Sequence, residues 1–519
     1  MAIQSRALIV GFNLPFDLSR LALDWEIAKN GRWSLIFSQW RDPKTGKFEE
    51  NTFFPRIVIK SLNSKTAIIQ SLQPWKPIDK EKGKNMQAFP AARFLDLRTL
   101  LWALYNRSYS LKGACQKFGI PGKLDHTPSG VISLDEIEYC RQDVRATLGL
   151  LNAVKKEYDL HPIDLGPDKL FSPASVAKAY LEKLGIAHPS TKVKNANYAY
   201  GICMQAYFGG RSECRIRNWE VPVCPVDFKS QYTTVNELLG SWDLVVARKI
   251  TFEDATNEIS RLLASITLDN CFQRDSWKDF KFFALVRPEA DIFPVRTIYN
   301  GTTQNIGLNY LTSKEPIWFA GPDIIASILL TGKIPKIEKA IRVVPHGQQS
   351  GLKNARLRGM VEVNPRKQSL FKHVVEQRFA NEDNKALHYW LKIFASSGAY
   401  GLFVELNPNE ADDAEIKVFS GEESFPTTSD VVEEPGKWFA PFIGSLTTSG
   451  GRLLLAMLEK YIADAGGTYL FCDTDSAAIV SAKTRQQIQM PDGATITALS
   501  RKGVENIVMK IRITKSIQS

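Results

Sequence analysis

Thr468–Val480 reads TYLFCDTDSAAIV: two apolar, strand-forming runs interrupted by Asp473, Thr474 and Asp475. Apolar runs that meet at a short polar tip are the pattern of a β-hairpin. Two carboxylates one residue apart repel each other. Such a tip is therefore either a plain polar turn, the commoner case, or a place where a cation supplies the opposing charge. A second apolar strand shifts that balance, because PVCPVDFKSQY (222–232) closes its apolar run on Asp227. Hard divalent cations take carboxylate oxygens, and two ions that share ligands need aspartates from neighbouring strands. Asp227, Asp473 and Asp475 are the candidate cluster.

Working outward, 519 residues are too many for one ordinary core and predict two to four domains. A hydrophobic fraction of 44% with 23% charged residues is the balance of a soluble globular protein. Neither a membrane span nor a cleavable leader is legible, so a cytoplasmic location is expected, with no membrane partner. Cysteines 115, 140, 203, 214, 224, 271 and 472 show no C-x-x-C spacing. That argues for reduced thiols and against zinc. Lys plus Arg number 66 against 55 Asp plus Glu, a net charge of +11. A cationic surplus favours a polyanionic partner through counterion release and disfavours an acidic interaction module.

The first 160 residues mix strand and helix patterns. ALIVGF, FPRIVIKSL and TAIIQSL read as strands, while LSRLALDWEIAKN and FLDLRTLLWAL have helical spacing. SLDEIEYCRQDVRATLGLLNAVKKEY reads as a long amphipathic helix with Ser133 and Glu136 as its capping box. The alternation predicts an α/β domain. Residues 161–200 read as a linker with some helix. Further on, 369–397 predicts a helical pair and GGRLLLAMLEKYIADAGG a helix ahead of the acidic hairpin.

DFKSQYTTV resembles the first palm motif of family B DNA polymerases, KIFASSGAYG their fingers motif, and CDTDS their second palm motif. YFGGR (207–211) resembles the element that precedes the palm. NLPFD (13–17) and YCRQD (139–143) resemble the second and third motifs of proofreading 3′–5′ exonucleases. All six stand in the family's order. The resemblance implies an α/β and α+β multidomain fold: an incomplete RNase H-like exonuclease domain (1–160), the linker (161–200), a first part of the palm (201–365), fingers (366–405) and a truncated second part (406–519), with the thumb missing. It implies a DNA-templated DNA polymerase using two Mg²⁺, with Mn²⁺ as an alternative ion. The implied partners are primer-template DNA and deoxynucleoside triphosphates, and the implied setting is a nucleoid or replicon.

Residue by residue, the resemblance assigns Asp227 and Asp475 to the metals, with Asp473 as a helper. Tyr232 becomes the ring that excludes a 2′-hydroxyl; its bland alternative is a core tyrosine. Lys392 faces the triphosphate. Lys385 and Arg378, each seven residues further back, extend a cationic stripe or else belong to a solvated helix face. Tyr400 packs on the nascent base pair, and Tyr207, Gly209, Gly210 and Arg211 touch template phosphates. Asn13, Asp17, Tyr139 and Asp143 are the exonuclease remnant.

The departures are specific. Ser396 stands where the family has asparagine, and the interval from Lys392 to Tyr400 is one residue longer than usual. An Asp-x-Glu pair is expected ahead of Asn13, where only twelve residues stand, and Asp24–Glu26 falls too late, in the helical pattern. Negligible proofreading is the expectation. The alternatives are an impaired polymerase fragment that binds DNA or needs a companion chain, and an exonuclease without polymerase activity. A terminal protein as primer would require an insertion, for which the 164 residues between Asp227 and Lys392 leave room.

Overall fold

The computed structural model describes residues 7–28, 32–51, 54–71, 92–124, 131–194, 196–299, 301, 303–420 and 423–511. The chain divides into two compact units. The first takes Met1–Lys183 with Ala355–Glu362 and Pro408–Glu410, and the second takes the remainder.

In the first unit β1 (Leu8–Gly11) runs into α1 (Leu14–Leu21). β2 (Asp24–Ala28), β3 (Arg32–Ile36), β4 (Ile57–Ser61) and β5 (Ala67–Ser71) follow as an antiparallel sheet in that order. β6 (Arg93–Asp96) lies parallel to β1 and leads into α2 (Leu97–Tyr105), α3 (Leu111–Phe118), α4 (Leu134–Tyr158) and α5 (Pro173–Lys183). Leu14, Leu18, Leu35, Ile57, Ile59 and Phe94 form one core. Ser133 caps α4 by accepting from the Glu136 N–H at 3.2 Å.

Three expectations change here. Asp24-Trp25-Glu26 is an exposed strand, because apolar residues at 23, 25 and 27 alternate as well as they spiral and β3 supplies a pairing edge. FLD is strand and only LRTLLWALY is helix: Asp96 ends the strand and caps α2 by accepting from the Thr99 N–H. Residues 161–183 are packed rather than linking, with Val176, Ala177, Tyr180 and Leu181 buried and the unit boundary at Lys183.

The second unit begins with α6 (Ala196–Gln205), β7 (Ser212–Cys214), β8 (Val223–Asp227) and α7 (Gln231–Leu238). β9 (Ala247–Asp254), β10 (Phe282–Arg287), β13 (Ile317–Ala320) and β14 (Lys336–Gln348) form a four-stranded sheet ordered β9-β14-β10-β13. Between β10 and β13 stands the hairpin β11 (Glu289–Tyr299) and β12 (Thr303–Thr312), and after β13 comes α8 (Gly321–Thr331). The expected helical pair is α9 (Leu370–Ala380) and α10 (Lys385–Ala399). A second hairpin, β15 (Leu406–Ser420) and β16 (Glu423–Pro435), precedes α11 (Pro441–Asp464). The chain continues through β17 (Tyr469–Asp473), β18 (Ser476–Ala482), β19 (Gln486–Gln489), β20 (Thr495–Ser500) and α12 (Arg501–Ile511).

Those last strands join a six-stranded sheet ordered β19-β20-β18-β17-β7, with β8 on the other side of β18. Leu455, Leu458 and Ile462 of α11 pack beneath its Tyr469, Cys472 and Ile479. Burying such side chains contributes roughly 1.5–3 kcal/mol each. The acidic tip is thus carried on a rigid base.

Candidate active site

Strand register brings the aspartates together. Ser476 pairs with Asp227 across β8 and with Asp473 across β17. Two strand spacings, about 10 Å, separate the Asp227 and Asp473 backbones. Asp475 lies in the turn beside them. The Phe228 N–H donates to its carbonyl at 2.7 Å, tying β8 to the tip. Thr474 takes φ 55, and its N–H donates to the Arg211 carbonyl at 2.7 Å. Left-handed geometry at a β-branched residue is strained and persists only where neighbours enforce it.

Burial pushes the Asp475 carboxyl above its ordinary pKa, and Asp227 and Asp473 push it further, while Lys392 opposes them. No group of three or more His, Cys, Asp and Glu side chains among the described residues forms a ready metal cage. Mg²⁺ typically takes one or two carboxylates and completes its shell with water and substrate phosphate. Asp227 and Asp475, hard oxygen donors on neighbouring segments of one sheet, fit that pattern as a pair.

The helical pair supplies cations. Lys385 and Lys392 stand two turns apart on α10, and both are exposed. Arg378 is not part of their stripe, because Asn381–Asn384 break the helix between them. It joins the site by tertiary packing instead: its Nη1 donates to Ser230 Oγ at 2.8 Å, three residues from Asp227. Ser396 donates to the Lys392 carbonyl at 3.2 Å, within its own helix. Thr233 Oγ1 and Asn236 Nδ2 of α7 donate to the carbonyls of Ala395 and Ala399 at 2.8 and 2.7 Å, fixing the end of α10.

Three tyrosines meet over this floor. Tyr232 and Tyr400 have ring centroids 5.0 Å apart, and the Tyr207 and Tyr400 hydroxyls share a hydrogen bond. Burial pushes the Tyr232 hydroxyl up to about 12, against the nearby Arg452 charge.

The phosphate role expected of Arg211 is overturned. Its side chain is 1% exposed, ion-paired to Glu213 and Glu459 and hydrogen-bonded to Tyr469 Oη at 2.7 Å. Its neighbours Tyr207, Gly209 and Gly210 are partly exposed, while backbone carbonyls of the element are hydrogen-bonded within the protein. The Tyr207 carbonyl accepts from Arg296, and those of Phe208 and Gly209 from Arg452.

Arg452 itself was missed from sequence. Its Nε and Nη2 donate to the two Asp323 oxygens at 2.7 Å each, with both side chains fully buried. The signal was available: one charged residue in each of two apolar helical runs, GPDIIASILL and GGRLLLAM.

In the first unit Asp17 lies near Asp143. Burial raises the Asp17 pKa, Asp96 and Asp143 add to the rise, and Lys123 opposes it. Lys123 pairs with Asp143 at 2.9 Å and donates to Tyr139 Oη at 2.8 Å. Asn13, at φ 67, and Leu14 give their N–H groups to Asp96 Oδ1. Asp96 Oδ2 accepts from Thr99, so this aspartate is occupied structurally. Asp24 and Glu26 are absent from this group, and Glu26 pairs with Arg56. A cleft of about 1090 Å³ opens beside Asn13, Asp17, Lys123 and Asp143. Lys123 sits in a polar loop with no sequence signal.

No protein-family model and no curated protein matches the chain. Solved structures do. Phi29 DNA polymerase complexed with primer-template DNA and incoming nucleotides is 12% identical, over 93% of this chain and 74% of that one, with a TM-score of 0.47. Phi29 DNA polymerase in its orthorhombic crystal form is 13% identical, over 95% and 73%, at 0.45. The family B DNA polymerase from the hyperthermophilic archaeon Pyrobaculum calidifontis is 12% identical, over 81% and 48%, at 0.31. Over most of its length, then, the chain is similar to DNA polymerases, one of them of family B.

Proposed function

We propose that the chain is a DNA-templated DNA polymerase of family B type, which joins deoxynucleotides to a primer 3′ end. The observation that carries this reading is the set of three aspartates around Ser476, with the charge of Lys392 on α10 felt at Asp475. Asp227 and Asp475 would hold divalent ions, whose chemistry is to acidify the primer hydroxyl and neutralise charge on the triphosphate.

The remaining work falls to positioning and charge. Lys392 and Lys385 draw in the triphosphate from one helix face. Arg378, anchored on Ser230, adds a cation close to Asp227. Tyr232 forms the surface under the sugar, and Tyr400, held by Tyr207, flanks the base. The net positive charge suits primer-template DNA.

The test is primer extension by the purified chain with Mg²⁺ or Mn²⁺, beside a gel-shift on the same DNA. Extension that Asp475→Asn abolishes, with the shift unchanged, supports the reading. Extension unaffected by Asp475→Asn removes the role of the acidic turn. DNA binding without any incorporation would point to an impaired fragment or one that needs a companion chain.

A further inference from the structure

Two glycines close around Tyr232. A Cβ built on Gly210 would stand 2.7 Å from Thr474 Oγ1, 2.8 Å from Thr474 Cγ2 and 3.0 Å from Tyr232 Oη. One built on Gly451 would stand 2.7 Å from Gln231 Oε1 and 3.1 Å from Tyr232 Cε1. The two walls differ: the Gln231 amide at Gly451 is the end of a flexible side chain and can turn aside, which leaves the Tyr232 ring edge as the contact that must yield. Thr474 is pinned by its hydrogen bond to the Arg211 carbonyl, and Gly451 lies in a fully buried stretch of α11. Glycine in a helix interior is normally a liability. Here Gly450 and Gly451 together let α7 approach α11, since a Cβ on Gly450 would stand 2.4 Å from Val235 Cγ1. The third neighbour of the Tyr232 ring is Tyr400, 5.0 Å away by centroids.

We propose that Gly210 and Gly451 are specificity-determining positions: the slot between them fixes the depth of the Tyr232 ring, and with it the rejection of a nucleotide that carries a 2′-hydroxyl. This rests on the polymerase reading above. Steric exclusion of one oxygen changes steeply with distance, so a ring pushed out of register loses discrimination before it loses nucleotide binding. Gly451→Ala acts on the ring edge. Gly210→Ala acts on the hydroxyl and on the turn between Asp473 and Asp475, so it also weakens binding of both nucleotides.

The experiment measures dATP and ATP binding to the full chain on a dideoxy-terminated primer-template with Mg²⁺, so no turnover is required. Circular dichroism checks that each variant is folded. Gly451→Ala is expected to lower the dATP/ATP affinity ratio by about tenfold. Adding Gln231→Ala removes the closest clash, and the effect should persist through the Tyr232 contact alone. This double variant also stands in if Gly451→Ala does not fold. For Gly210→Ala, adding Tyr232→Phe removes the 3.0 Å contact and should recover part of the nucleotide affinity. An unchanged dATP/ATP ratio in folded glycine variants overturns the slot while leaving the polymerase reading intact. A wild-type chain that binds neither nucleotide on primed DNA overturns both.

Discussion

Replacing Arg452 by methionine keeps the reach of the side chain but strips Asp323 of its counter-charge. Both side chains are fully buried and joined by two hydrogen bonds of 2.7 Å. Leaving one member of such a pair alone costs ~3–5 kcal/mol, because the stranded charge keeps its desolvation penalty with nothing to offset it. The carbonyls of Phe208 and Gly209 lose a donor as well, adding about 1 kcal/mol. Taking ~4 kcal/mol as the sum after relaxation, the opening constant of α11 should rise roughly 10³-fold. Native-state hydrogen exchange on amides of Pro441–Asp464 measures this directly. Arg452→Met with Asp323→Leu removes both charges and should recover most of the loss, since well-packed apolar replacements of buried pairs are often neutral. A single variant within about 1 kcal/mol of wild type, or a double variant no better than the single, would refute the reasoning.

Arg211→Met should lower stability by about 1.5–3 kcal/mol, since Glu459 keeps Arg215 and Glu213 keeps the Tyr469 hydroxyl, yet leave the salt dependence of DNA binding unchanged. A shallower salt slope in gel-shift titrations would restore it as a phosphate contact. Burial holds the Lys192 ammonium down to about 8, below its ordinary value, while it donates to the Val245 carbonyl at 2.5 Å. The folded state then binds fewer protons than the unfolded one between pH 8 and about 10.5, so stability rises with pH through that window. Urea unfolding of Lys192→Met should lose about 3 kcal/mol of that rise. Glu157 is raised by burial, but the Arg358 fork and His161 outweigh this and hold it at about 2. Its contribution is complete above pH ~4.5 and is lost as pH falls toward 2. Arg358→Met should cost about 2 kcal/mol, discounted for partial exposure, and shift acid unfolding to higher pH; an unmoved acid midpoint would contradict this.

Local chemistry that repeats along a chain was legible in the sequence. The apolar runs around Asp473–Asp475 and before Asp227 specify strands wherever they sit, and Ser133 caps its helix with its own neighbours. The seven-residue interval places Lys385 and Lys392 on one face of α10 without any help from the rest of the fold. Position relative to distant partners was not legible. Asp24–Ala28 reads as helical from its spacing, and the pairing edge offered by β3 makes it a strand instead. Arg211 looks like a phosphate ligand until Glu459, 248 residues further on, arrives to neutralise it. Arg378 reaches Ser230 across 148 residues. Backbone propensity acts over a few bonds, so sequence alone determines the elements and the residue types at their tips. Charge pairing and burial depend on which surfaces meet, and only the tertiary structure decided which cations face the site and which lie beneath it.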